Sequence, residues 1–137
     1  MMQTAFVDTD IILDLIGMRE PFYSSAAGLF SKADRGEIQL CTSALSFANL
    51  NYILSRQYSA PEARKKFFQF KTLVTVLPVN DKIVELALIS DFKDFEDGLQ
   101  YFTATENGIS ILLTRNLKDY KSAEIAVMTA SEFLKSQ

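Results

Sequence analysis

Thr4-Ala5-Phe6-Val7-Asp8-Thr9-Asp10-Ile11-Ile12 changes its hydrophobic period at Asp8. Thr4–Val7 is a β-rich apolar run, whereas Ile11, Ile12, Leu15 and Ile16 recur at helical spacing. A strand therefore hands over to a helix at an acidic residue. A carboxylate there either caps the helix, as Asp8 or Thr9 could, or is held by the strand end and aimed at the open edge of a sheet.

The same exchange repeats along the chain. Arg19-Glu20-Pro21 breaks the first helix, because proline disfavours helical backbone at its predecessor. Ser24 can cap a second helix that closes near Gly36. Gln39–Thr42 reads as a strand, Leu45–Arg56 as a helix, and Ser59-Ala60-Pro61-Glu62 as a helix start with proline in its first turn. Ala63, Phe67, Phe70 and Leu73 form the apolar stripe of that helix, and Thr75–Leu77 is a strand ended by Pro78. Asn80 caps a helix to Ser90, another runs from Phe95 to Glu106, and Asn107-Gly108 stops it. Ser110–Thr114 and Ile125–Met128 are the last strands, separated by a polar loop, and Thr129 caps a short helix to Lys135. Strands alternating with helices predict a single α/β domain over residues 1–137. It is a three-layer sandwich whose parallel sheet of about five short strands carries helices on both faces. Ligands in such sheets sit beyond the carboxyl ends of the strands, where Asp8, Ser43 and the Asn116 region fall.

Composition narrows the chemistry. The chain has 137 residues, 48% hydrophobic and 23% charged, which is enough apolar surface for a core and excludes a disordered tail or a coiled coil. No apolar run approaches membrane length, and the N-terminus lacks the basic start of a signal peptide, so a cytoplasmic protein is expected. There is no histidine, which excludes imidazole as base or metal ligand. The one cysteine, Cys41, reads as a buried strand residue. What remains is carboxylate: 17 acids against 14 bases, for a net charge of -3.

Three further segments carry candidate residues. Asp91-Phe92-Lys93-Asp94-Phe95-Glu96-Asp97 holds four acids in seven residues, although capping a helix at Asp94 needs only one. Asp94 and Asp97 share a helix face, and with Asp8 beside them they repel unless a cation sits among them. Thr114-Arg115-Asn116-Leu117-Lys118-Asp119-Tyr120 follows a strand, so Asn116 and Asp119 either project at the Asp8 end of the sheet or form an Asx-type turn. Asn49 lies among apolar neighbours in Ser43–Tyr52, and it either bonds an adjacent backbone or lines a polar cavity with the acids.

These four segments, in this order, resemble the PIN domain family, a metal-dependent ribonuclease fold that includes the VapC-type toxins of bacterial toxin–antitoxin pairs. Phe6–Asp10, Ser43–Tyr52, Asp94–Asp97 with Gln100-Tyr101, and Leu113–Asn116 with Asp119-Tyr120 match its motifs across nearly the whole chain. The resemblance implies an endoribonuclease that hydrolyses RNA phosphodiester bonds with Mg²⁺ or Mn²⁺. Asp8, Asp97 and Asp94 would be its catalytic, metal-holding acids. Asn49 and Asn116 stand where the family usually places acids, and with Asp119, Thr9 and Thr114 they would orient the site. An amide oxygen can ligate a hard cation but adds no charge. Arg115 and Lys118 flank the site as phosphate contacts, while Arg64-Lys65-Lys66 reads as a solvated helix face and the net charge opposes broad RNA binding. Phe22, Tyr23, Phe47 and Tyr52 either stack on bases or pack. Phe67, Phe68 and Phe70 either serve a homodimer or antitoxin groove or belong to the core.

Two other readings compete. The fold could persist as an RNA- or protein-binding module, with Asn49 and Asn116 marking a weakened metal site. Val7-Asp8-Thr9-Asp10-Ile11 also resembles the start of a haloacid-dehalogenase-type phosphatase, but Ile12 stands where that motif has Thr or Val.

Overall fold

The computed structural model describes residues 2–137. Five strands, β1 (Gln3–Val7), β2 (Ile38–Ser43), β3 (Thr75–Leu77), β4 (Ile111–Leu113) and β5 (Ala126–Met128), form one sheet in the order β3-β2-β1-β4-β5. Every neighbouring pair is parallel, with Phe6 opposite Cys41 on one side and Leu112 on the other. Parallel pairing requires crossovers, which are supplied by helices α1 (Thr9–Ile16), α2 (Tyr23–Asp34), α3 (Ala44–Gln57), α4 (Ala60–Phe70), α5 (Asp81–Ile89) and α6 (Phe95–Glu106) and, between β4 and β5, by a segment with a single 3-10 turn; α7 (Ala130–Lys135) follows β5. This is the α/β sandwich expected from the alternation.

Pleat alternation assigns each strand residue to a layer. Ala5, Val7, Leu40 and Leu113 face one core with Ile11, Ile12, Leu29, Leu50, Leu54, Phe67, Phe70 and Phe133. Phe6, Cys41 and Leu112 face the other with Tyr101, Ala104 and Tyr120. Phe6 is fully buried, which stabilises the fold by roughly 1.5–3 kcal/mol. Cys41 lies in this second core, where burial raises its thiol pKa, in line with a structural strand residue. Phe67 and Phe70 are core, whereas Phe68 is exposed.

Several predicted caps are present. Asn80 accepts the Ile83 amide, Asp94 the Asp97 amide, and Thr129 forms a reciprocal box with Glu132. The Ser24 cap is not. The chain is already helical at Phe22, Tyr23 N–H reaches the Arg19 carbonyl at 2.7 Å, and Ser24 falls inside the first turn. Upstream carbonyls have satisfied the donors a side-chain cap would have served. The stripe expected through Leu73 ends at Phe70, and a 3-10 turn takes up Lys71–Leu73. The loop after β4 likewise contains a 3-10 turn, Leu117–Tyr120.

Strand order fixes where a site can form. The chain grows outward from β1 through β2 to β3, then returns across β1 to place β4 and β5 on its other side. The switch therefore lies between β1 and β4, and the crevice beyond their carboxyl ends is where such sheets bind ligands.

Candidate active site

Asp8 follows β1 at that crevice and does two jobs. Its Oδ1 accepts the Thr9 amide at 2.8 Å, as the cap of α1, and the Gln100 side-chain amide at 3.4 Å. Its Oδ2 accepts the Thr114 hydroxyl at 3.0 Å and the Tyr120 hydroxyl at 2.9 Å. Capping and presentation to the cleft are thus compatible, so the two sequence readings of Asp8 were not exclusive. The carboxylate is 8% exposed and its orientation is fixed by donors from α1, α6 and the segment after β4.

Gln100 is oriented in turn. Its amide oxygen accepts the Ser43 hydroxyl, and its nitrogen donates to Ser46 at 2.7 Å. Ser46 shares a 2.9 Å hydrogen bond with Thr9. Ser43, which caps α3, and Ser46 are fully buried, so this network joins β1, α3 and α6 behind the acids. Gln100 and Tyr120 lie inside two of the sequence motifs, yet nothing local to either announces its role. Their partners are 92 and 112 residues away, beyond any local pattern.

Asp97, half-buried in the first turn of α6, faces the same cleft. The Tyr120 hydroxyl, which donates to Asp8, stands 3.5 Å from Asp97 Oδ1. Burial, then the charges of Asp8, Asp94 and Asp119, push the Asp97 carboxyl up to about 7. Tyr120 is raised far above the usual phenol range, by burial first and then by Asp8 and Asp97, so it remains a hydroxyl donor. Asp94 caps α6 beside them.

Asp10, part of the first motif and of the phosphatase alternative in the sequence, lines the same cleft. Its Oδ2 accepts the Arg115 amide at 2.9 Å, the Asn116 side chain at 3.3 Å and, sharing its proton with Asp8, the Thr114 hydroxyl at 3.2 Å. Its Oδ1 is buried without any partner among the described residues. Burial first, and then Asp8, raise its carboxyl to about 6.

These groups line a cleft of about 400 Å³ that includes Asp8, Thr9, Asp10, Asn49, Tyr52, Glu96, Asp97, Gln100 and Asn116. Its lining contains four acids and no basic residue. Asn49 donates to Glu96 at 3.4 Å, as Asn116 donates to Asp10. Both amides therefore hold a further acid at the cleft, restoring charge that the amides themselves lack. Asp119 and Lys118 face the neighbouring cleft, across Asp97.

Arg115 is placed differently from its sequence reading as a phosphate contact. Its guanidinium makes two hydrogen bonds to Asp14, at 2.7 and 3.1 Å, and lies 4.1 Å from the Phe22 ring centroid. It is committed to α1, away from the cleft. Phe47 packs with Phe67 and Phe70, whereas Tyr52 is 65% exposed at the cleft rim.

A hard divalent cation suits this donor set. Oxygen ligands converge, a buried carboxylate oxygen lacks a partner, and burial, followed by the neighbouring carboxylates, raises the Asp97 carboxyl to about 7. Among the described residues no group of three acids is already drawn into metal-ligand geometry.

A sequence model described as the PIN domain matches residues 4–118. The chain belongs to the PIN domain family. A protein called Ribonuclease VapC1, from Aquifex aeolicus (strain VF5), is 26% identical over 136 residues, covering 96% of this chain and 93% of that protein. In fold, the chain is similar to a Klebsiella pneumoniae toxin–antitoxin complex at a TM-score of 0.68 and 21% identity, covering 92% and 97% of the two chains. It is also similar to Mycobacterium tuberculosis VapC20, described as a sarcin-ricin-loop-cleaving toxin, at 0.64 and 20%, covering 79% and 86%. The PIN fold expected from the four motifs is thus present, with its acids at the β1/β4 switch point. Among the described residues no helix is long and apolar enough to cross a membrane.

Proposed function

We propose that this PIN-domain protein is a Mg²⁺- or Mn²⁺-dependent endoribonuclease that hydrolyses RNA phosphodiester bonds, acting in the cytoplasm as the toxin of a toxin–antitoxin pair. The observation that carries this reading is the switch-point cleft, where Asp8 and Asp97 meet two further acids without a basic residue in the lining. The similarity to Ribonuclease VapC1 and to the Klebsiella pneumoniae toxin–antitoxin complex supports it.

Asp8 and Asp97 would hold the ion, with Asp94 beside them and Asn49, Asn116 and Asp119 as orienting groups. The bound ion supplies Lewis acidity that lowers the pKa of water and offsets charge on the scissile phosphate. The chain supplies preorganisation. Thr114 and Tyr120 hold one oxygen of Asp8, while Gln100 and the Thr9 amide hold the other. The carboxylate therefore needs little reorganisation when substrate arrives. Tyr120 ties this strand-end acid to the helix-borne Asp97, and Thr114 holds Asp8 and Asp10 on one hydroxyl.

Thermal unfolding with and without Mn²⁺, on wild type, Asp8→Asn and Asp97→Asn, tests the site, alongside cleavage of total bacterial RNA with Mg²⁺ or EDTA. Stabilisation of wild type alone, with EDTA-sensitive cleavage, is expected. If Mn²⁺ leaves wild type unchanged and both variants are more stable than wild type, the metal site is refuted and a non-catalytic binding module takes its place.

A further inference from the structure

Every phosphate of an RNA strand carries charge, yet the acid cleft offers no cation of its own to the phosphates flanking the cut. At about 4 Å, each uncompensated carboxylate repels a unit charge by roughly 1 kcal/mol even in bulk water. A strand bound there needs positive side chains just outside. Arg115 cannot supply them, because its guanidinium is held by Asp14.

A second cleft, of about 270 Å³, adjoins the first through Asp97, which lines both. Lys93, Lys118 and Lys121 line it. All three are exposed, and among the described residues none is within 4 Å of a carboxylate, although Asp91, Asp94, Asp97 and Asp119 share the wall. Asp94 is turned to the Asp97 amide as the cap of α6. Lys93 comes from the loop before α6 and the other two from the segment after β4, so two separate stretches of chain bring cations to one cleft. Three acids with no cation (Asp8, Asp10 and Glu96) stand on one side of Asp97, and on the other three ammonium groups unpaired among the described residues stand with Asp91, Asp94 and Asp119.

We propose that the RNA strand passes from the acid cleft over Asp97 and lays the phosphates next to the scissile one in the neighbouring cleft, against Lys93, Lys118 and Lys121. This rests on the ribonuclease reading of the acid cleft and adds a substrate-binding site to it. Ammonium groups on flexible stems suit contacts to a backbone without base recognition, so this subsite binds phosphate irrespective of sequence.

The test is fluorescence anisotropy with a 5′-fluorescein-labelled oligouridylate of about 10 nucleotides, in EDTA so that cleavage is off, from about 25 to about 200 mM KCl. Each phosphate neutralised on a single strand contributes about 0.7 to the slope of log affinity against log salt. The Lys93→Ala/Lys118→Ala/Lys121→Ala variant should bind at least about tenfold more weakly at low salt and lose about 1 to 2 from that slope. Lys65→Ala, on the outer face of α4, should match wild type. Equal affinity and slope for the triple variant and wild type would overturn the proposal. So would an equal loss in Lys65→Ala, or no salt-dependent binding by wild type. A calorimetric Mn²⁺ titration reads the other cleft separately. The triple variant should keep the wild-type stoichiometry, and absence of Mn²⁺ binding in wild type would sink the ribonuclease reading without altering the anisotropy result. The thermal midpoint of the triple variant checks that it is folded.

Discussion

Asp10 and Asp14 stand one turn apart on α1, and the fold treats them in opposite ways. Asp14 is 2% exposed and completely paired, held by two hydrogen bonds from Arg115, which also stacks on Phe22. Asp10 has one oxygen with three donors and another, buried, with none. Arg115 serves both, giving its guanidinium to the first and only its backbone amide to the second. A chain able to bury a carboxylate with a good partner does so at Asp14. One turn earlier the same helix leaves a buried carboxylate oxygen of Asp10 facing the acid cleft without a partner among the described residues.

The largest way to break this contrast is Arg115→Ala. Removing one member of a buried pair leaves a buried charge without compensation, at a cost of about 3 kcal/mol, the low end of the usual range because Arg115 is partly exposed. Urea unfolding measures it. A loss below about 1 kcal/mol would mean that Asp14 is no better paired than a surface acid. Next in size is ion loading at the cleft. Mn²⁺ at about 100 times its dissociation constant should add roughly 2.7 kcal/mol to wild type, several degrees in thermal midpoint, and nothing to Asp8→Asn. Tyr120→Phe removes the donor between Asp8 and Asp97 and should cost about 1.5 kcal/mol, a hydrogen bond to a charged acceptor.

A pH series sharpens the contrast further. Asp10 and Asp97 have folded-state pKa values, about 6 and about 7, above the 3.8 of an unperturbed carboxyl. The folded protein therefore holds more protons than the unfolded chain between those values, and stability falls as pH rises through that window. Without metal, the thermal midpoint should decline from pH 5 to pH 7.5 and level off above. Glu37 and Glu132 have lowered values and titrate below 4.5, outside this range. A midpoint that rises from pH 5 to pH 7.5 in EDTA would show the acids are not held against their charge.

The sandwich was legible because period changes at Asp8, Ser43 and Asp94 coincide with strand ends and helix caps, where local chemistry dominates. Asp8 and Asp97 were legible for a related reason. One follows an apolar run, and the other belongs to an excess of acids that capping cannot absorb. The start of helix α2 escaped because it depends on the backbone path from Arg19, which no side chain announces. The support behind the acids escaped more completely. Gln100, Tyr120 and the serines look like ordinary helix and loop residues until tertiary pairing brings them to Asp8. Arg115 looked like a free cation because its partner, Asp14, is 101 residues earlier.

The central position of β1 has a consequence in time. It is the first strand to be synthesised, yet one of its two neighbours, β4, arrives more than 100 residues later. A nascent chain that has just exposed Asp97 possesses both principal acids. It still lacks the strand that closes the crevice and the hydroxyls of Thr114 and Tyr120 that aim Asp8. The acid cleft is therefore among the last features of the fold to assemble, because its support waits for β4 and the segment after it.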